Sequence, residues 1–314
     1  MDLNHVAVFV DNIEESALAL ALGGWGAPAV TITNQPVTVN GRPGEHSGRT
    51  RRIRTASKPP FGVSIEDVAP GASIQPVPGY AWHHIAVWCQ DVPATVELLE
   101  QEGYRRDVFG RGPAGELATF AYMVSNQGPR IEVADAAMKA RMLEYAARAS
   151  ATAGDQAAQG DLSAPLAPCE VAVVVDTSCD LERLKLAWQR AFGADWTEIT
   201  DTSVAVRTPD GIGDLRTLSV STKGVPCVTI IVPDLASRTL LQRVDTNGWH
   251  HVSFASADLA RDAAWLERCG FAMEFCDGDA GEDMASFAML RAPEGTRIKL
   301  TGGRVEWNRF EVRS

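Results

Sequence analysis

The stretch His83-His84-Ile85-Ala86-Val87-Trp88-Cys89, set beside Asn4-His5-Val6-Ala7-Val8-Phe9-Val10, decides the fold. Both are short apolar runs that carry a histidine near the start and lead into a helical pattern. Side chains alternate between two faces along a strand. In the earlier run Val6, Val8 and Val10 share the face that meets the helix, and His5, Ala7 and Phe9 share the other. In the later run Ile85 and Val87 face the helix, while His84, Ala86 and Trp88 lie opposite. His5 and His84 therefore hold the same place in two copies of one unit. By the same alternation His83 points to the helix side, where it serves structure or at most supports the ligand beside it.

Working outward, the later run is followed by a helix with clear limits. Asp91 caps it, Pro93 lies in its first turn, Gly103 ends it, and Val92, Val96 and Leu99 fall on one face. Three strand-like runs follow, near Arg105–Phe109, Leu117–Val124 and Pro129–Ala134. The earlier copy has its helix from Asp11-Asn12 through Leu22, stopped by Gly23-Gly24. A third copy starts at Glu170-Val171-Ala172-Val173-Val174-Val175, with Leu181, Leu184, Trp188 and Phe192 in its helix. A fourth starts at His251-Val252-Ser253-Phe254-Ala255, runs through Trp265 and Leu266 to Gly270, and adds strands near Phe271–Cys276, Met284–Leu290 and Thr296–Thr301.

The class is thus α+β, with four βαβββ modules. One module cannot bury both faces of its sheet, so the modules are expected to pair. The Ala-, Ser-, Gly- and Pro-rich stretch Ala147–Pro168 has no strand pattern and reads as a linker. Just before it, Ala137–Ala147 suits a closing helix. This predicts a metal-binding pair over 1–148, a linker over 149–167, a second pair over 168–304, and a tail over 305–314.

The last strands of the first two modules end alike. Phe61-Gly62-Val63-Ser64-Ile65-Glu66 resembles Gln127-Gly128-Pro129-Arg130-Ile131-Glu132, with a glutamate just after an isoleucine in each. Two histidines and two carboxylates at matched places suit a divalent ion. Imidazole nitrogen and carboxylate oxygen fit zinc, nickel, cobalt, manganese or iron. The predicted ligands are His5, Glu66, His84 and Glu132. Carrying the His5–Glu66 and His84–Glu132 spacings into the second pair lands on Glu170, Ile231, His251 and Lys299. An aliphatic residue cannot ligate and an ammonium repels a cation, so that pair is expected to have lost its metal.

The arrangement resembles the vicinal-oxygen-chelate superfamily, which includes glyoxalase I, methylmalonyl-CoA epimerase, extradiol dioxygenases and bleomycin- or fosfomycin-resistance proteins. The segments His83-His84-Ile85-Ala86-Val87 and Gly128-Pro129-Arg130-Ile131-Glu132-Val133 look most like the epimerase and glyoxalase branch. The resemblance implies that the four modules pair into two curved-sheet domains, with the ion in a concave face and Glu132 or Glu66 as the catalytic base. It implies an isomerase, epimerase or lyase that works through an enolate on a small carbonyl or thioester substrate. An extradiol-type ring-cleaving dioxygenase is the alternative, and a fourth acidic ligand at Glu66 counts against it. A non-catalytic, resistance-type binding protein is a third reading.

Composition narrows the partners. The chain has 314 residues and a net charge of −11, so it should repel nucleic acid and anionic membranes. No apolar run approaches the ~20 residues that span a bilayer, and the start Met1-Asp2-Leu3-Asn4-His5 lacks a secretory pattern. Cysteines stand singly at 89, 169, 179, 227, 269 and 276, as in a reduced, cytoplasmic protein. The expected partner is a small molecule, with a homodimer as the assembly to test. Arg42, Arg49, Arg51, Arg52, Arg54 and Lys58 form a basic cluster that could hold a substrate anion or be a solvated face. His46 lies in Asn40–Gly48, a Gly-Pro-rich loop that reads as a lid or a plain surface loop.

Overall fold

The computed structural model describes residues 1–22, 31–54, 61–68, 74, 82–126, 128–141, 144, 167–224, 226–241, 248–277, 284 and 286–302. The first half holds β1 (Leu3–Phe9), α1 (Ala17–Leu22), β2 (Thr31–Val39), β3 (Arg42–Arg54), β4 (Gly62–Val68), β5 (Trp82–Cys89), α2 (Val92–Gln101), β6 (Arg105–Arg111), β7 (Leu117–Val124) and β8 (Ile131–Asp135). The second holds β9 (Ala167–Val174), α3 (Leu181–Phe192), β10 (Thr200–Thr208), β11 (Gly211–Ser221), β12 (Cys227–Pro233), α4 (Ser237–Leu240), β13 (Gly248–Ala255), α5 (Leu259–Arg268), β14 (Ala272–Asp277), β15 (Phe287–Arg291) and β16 (Arg297–Thr301). The βαβββ pattern is present four times over.

Modules pair as the sequence requires, and each pair closes into a barrel. The strand orders are β1-β4-β3-β2-β6-β7-β8-β5 and β10-β11-β12-β9-β13-β16-β15-β14. In every module the first and last strands run parallel: β1 with β4, β5 with β8, β9 with β12, and β13 with β16. The seam within each barrel is an antiparallel pair of first strands, β1 with β5 and β9 with β13.

Alternation sorts the side chains as expected. Val6, Val8, Ile85, Val87, Ile131 and Val133 join one continuous core with the helices and their counterparts in the second barrel. Phe9, Val37, Ile74, Val108, Phe120 and Tyr122 fill the first barrel's interior. The barrels also exchange hydrogen bonds with matched partners: Trp82 Nε1 donates to the Arg297 carbonyl at 3.0 Å, and Trp249 Nε1 to the Arg130 carbonyl at 2.7 Å. Local chemistry sets the helix limits. The Asp91 carboxylate accepts from the Ala94 amide at 2.9 Å, and Gly103 takes φ +91° just past the end of α2, where a side chain would be strained.

Three expectations change. Asn40–Gly48 is no lid loop: Asn40 and Gly41, both with positive φ, turn a hairpin, and β3 begins at Arg42. Asn40-Gly41 supplies the φ > 0 pair that a tight hairpin demands. His83 does not face the helix. The β1–β5 register slips between Leu3 and His5 and again where Ala7 and Val8 meet His84 and Trp82, so Asn4 and His83 are the extra residues of two symmetric bulges. A bulge breaks strict alternation and re-aims a side chain. The third change, in the register of Glu66, concerns the site. Of the expected linker, only its end is described, where β9 begins at Ala167; the Gly23-Gly24 stop and the tail lie outside the described residues. Arg42 is exposed and Arg49 binds Asp67 and Glu14, whereas the side chains of Arg51, Arg52 and Arg54, and Lys58, lie outside the described residues.

Candidate metal centre

His5 reaches the interior of the first barrel from β1, His84 from β5 and Glu132 from β8. The paired first strands bring the two imidazoles together, with Nε2 atoms 3.3 Å apart. Glu132 Oε2 lies 3.0 Å from His84 Nε2 and 3.5 Å from His5 Nε2. Metal bonds to nitrogen and oxygen of roughly 2.0–2.2 Å, with neighbouring donors at tetrahedral or octahedral angles, require donors about 2.8–3.6 Å apart. All three separations fall in that window, so one ion fits the set. No pair stands at the distance of about 4 Å that opposed donors would show, so the three would take adjacent positions on an ion and leave others open.

Two carboxyl groups approach the interior histidines, Glu132 against His5 and His84 and Glu66 against His46.

Behind the ligands stands His83. Its Nδ1 shares a hydrogen bond of 2.8 Å with His84 Nδ1, which leaves His84 Nε2 to face the site. Phe9 stacks on His83 with ring centroids 4.3 Å apart, and Tyr122 packs 4.7 Å from the His84 ring. Burial, then the neighbouring His84, Arg130 and His46, hold His83 well below the usual histidine range, so it stays neutral, and its hydrogen bond fixes the orientation of His84.

Glu66 does not join the group formed by His5, His84 and Glu132. The register shows why. Glu132 lies beside Ala86, two residues past His84, while Ala7, two residues past His5, lies beside Ser64. Ser64 is thus the counterpart of Glu132, and Glu66, beside Phe9, sits one same-face step further along. The Ser64 hydroxyl donates to Glu66 Oε1 at 3.0 Å, and His46 Nε2 approaches Glu66 Oε2 at 4.0 Å. Sequence reading missed His46 as an interior residue. Its signal was parity: in β3 it shares a face with Thr50, which pairs with Glu66 in β4. Burial, helped by His84 and opposed by Glu66 and Glu132, lowers its pKa, so His46 is neutral and buried beside Glu66.

No protein-family model matches the sequence, and no curated protein does. Solved structures do match. A variant of 4-hydroxymandelate synthase from Streptomyces coelicolor is 14% identical, with a TM-score of 0.53 over 96% of this chain and 92% of that one. A 2,2',3-trihydroxybiphenyl 1,2-dioxygenase from Sphingomonas wittichii is 13% identical, with a TM-score of 0.48 over 96% and 90%. Methylmalonyl-CoA epimerase from Mycobacterium tuberculosis is 13% identical, with a TM-score of 0.32 over 48% of this chain and 95% of that one. The likeness to the synthase shows a shared fold, here four βαβββ modules paired into two barrels. Among the described residues no helix is long and apolar enough to cross a membrane.

Proposed function

We propose that the chain is a metal-dependent oxygenase that binds a ferrous ion on His5, His84 and Glu132 and acts on a small aromatic substrate bearing two adjacent oxygens. One observation carries this reading: the donor set is two histidines and one carboxylate on a single face, with Ser64 rather than a fourth acid at the matching position. That set with open positions is the donor pattern of non-haem iron oxygenases. It also removes the objection raised by a fourth ligand at Glu66. His5, His84 and Glu132 would hold a ferrous ion there, which would supply Lewis acidity toward two adjacent oxygens and reducing equivalents for O2.

The chain's own residues do the rest. Phe9, Phe120 and Tyr122 give the interior aromatic walls against which a flat ring packs. Neutral His46 is placed to accept a proton from a substrate hydroxyl, with Glu66 beside it to stabilise the imidazolium that results. The test is oxygen uptake by protein loaded anaerobically with Fe(II), using a panel of catechols. Stoichiometric uptake with ring opening supports the reading.

A second reading is favoured by the position of Glu66. A buried carboxylate off the triad is a base that could move a proton next to a carbonyl, as in an epimerase, isomerase or lyase acting through an enolate. Incorporation of solvent deuterium into a carbonyl substrate without oxygen uptake would select it.

A further inference from the structure

The second barrel repeats the architecture of the first around a different charge. Lys299 lies beside Ser253 as Glu132 lies beside Ala86, and Cys227 pairs with Glu170 as Gly62 pairs with His5. The seam carries the same two bulges, here at Cys169 and His250. The histidine pair is also retained: His250 Nδ1 and His251 Nδ1 are 2.9 Å apart, and His250 Nε2 is anchored 3.0 Å from the Leu241 carbonyl. The supporting structure of a metal ligand is therefore intact. Two of the three ligand positions have changed, His5 to Glu170 and Glu132 to Lys299.

We propose that the second barrel is a latent metal centre, closed because the Lys299 ammonium takes the place of the ion. Lys299 Nζ lies 3.7 Å from Glu170 Oε2, and His251 Nε2 approaches the same oxygen at 3.9 Å. The Ser253 hydroxyl donates to it as well. One cation and one carboxylate meet where the first barrel has a carboxylate and two imidazoles. His251 Nε2, the counterpart of the His84 atom that faces the triad, is buried, and at 3.9 Å from Glu170 Oε2 it makes no close hydrogen bond. It is a donor held ready for an electrophile that Lys299 keeps out. Of the two changed residues only Lys299 bars a metal, since a carboxylate at 170 can itself ligate. Lys299→Glu with Glu170→His recreates the two-histidine, one-carboxylate set, and replaces a balanced pair with one carboxylate for the metal to neutralise.

The inference takes the first-barrel triad as its template, so the test separates the two sites. Metal per chain is measured after anaerobic loading with Fe(II), and with Co(II) as a spectroscopic probe. The unaltered chain should hold one ion, and the double variant two. In a His84→Ala background the unaltered second barrel should give none, and the double substitution should restore one. Failure to restore it, in a variant with unchanged circular dichroism, overturns the latent centre, whatever the first barrel does. An unaltered chain with two ions overturns it too, because Lys299 would then block nothing. An unaltered chain with none overturns the first-barrel reading, and restoration in the His84→Ala background still decides this one. Should the double variant not fold, Lys299→Glu alone, which sets two carboxylates around His251, gives the same readout with weaker binding expected.

Discussion

Glu132 and Lys299 occupy one strand position in two barrels that share topology, bulges and a buried histidine pair. In the first barrel the carboxylate lies 3.0 Å from an imidazole and among the described residues meets no lysine or arginine. In the second, the ammonium lies 3.7 Å from Glu170 and the charges balance within the protein. Burial pushes Glu170 up, yet Lys299, His251 and Ser253 outweigh it and hold the carboxyl well below its ordinary value. His251 goes the other way: burial, joined by Lys299 and Arg297, lowers it against the pull of Glu170, so it remains neutral. In the second barrel Lys299 supplies a positive charge at this interior point; in the first, the proposed ion would supply it.

The largest effect should come from breaking the first site. His84→Ala is expected to lower metal affinity by more than ~100-fold, beyond the roughly 10–100-fold typical of losing a supporting residue, and to abolish turnover. The fold should survive, because Ile85 and Val87 on the opposite face keep their packing. The matched change, His251→Ala, should leave metal content as it was. Equal loss from both variants would show that the two barrels do not differ as described.

Next is the pair behind the ligands. His83→Phe keeps the ring but removes the hydrogen bond to His84, and should weaken metal binding by roughly 10–100-fold. Titration of the metal-free protein with Co(II) reads this directly. His250→Phe should leave the same titration unchanged.

These two histidine pairs show where the sequence was legible. The repeat was plain, since strand patterns, caps and equal spacings recur, and the spacing rule put Ile231 and Lys299 in positions that the register bears out. His5 and His84 could be read as interior residues because alternation resumes just past the bulge in each strand, at His5 in β1 and at His84 in β5. His83 could not, because one extra residue in a bulge leaves no trace in a pattern of period 2. Glu66 misled for a related reason. The two Ile-Glu pairs share a face but not a step along the strand, because the pairing with β1 sets Ser64 opposite Ala7. His46 was hidden by its neighbours: Pro43, Gly44 and Gly48 suggest a loop, yet that segment pairs along its length with β2.

The charge pair of the second barrel is the next target. Lys299→Met strips Glu170 of its main counter-ion. A fully buried pair would lose roughly 3–5 kcal/mol, and partial exposure of both side chains lowers the expectation to about 2 kcal/mol. Adding Glu170→Gln should recover much of that loss, since no charge is then left alone. Urea melts of the single and double variants measure it. A double variant no more stable than the single one would show that the pairing contributes nothing.

The smallest expected effect is a slope. His250 is buried in the second barrel, and burial, then His251 and Arg297, hold its pKa well below the ordinary value, with only the Leu241 carbonyl opposing. In the unfolded chain it titrates near the usual ~6.5. Above that pH neither state holds the proton and His250 contributes no pH dependence. Below it the unfolded state gains a proton that the folded state refuses, so stability falls as pH drops from about 6.5 toward the depressed folded value. One such group contributes at most about 1.4 kcal/mol per pH unit. His250→Asn removes the titrating group, so its stability should fall less steeply between pH 7 and pH 5 than that of the unaltered chain, whatever the offset at pH 7. Unlike the equivalent substitution at His83, it should do so without moving metal affinity. Parallel stability curves for His250→Asn and the unaltered chain would mean that His250 takes up its proton in the folded state, and that the second barrel's interior is wetter than its burial implies.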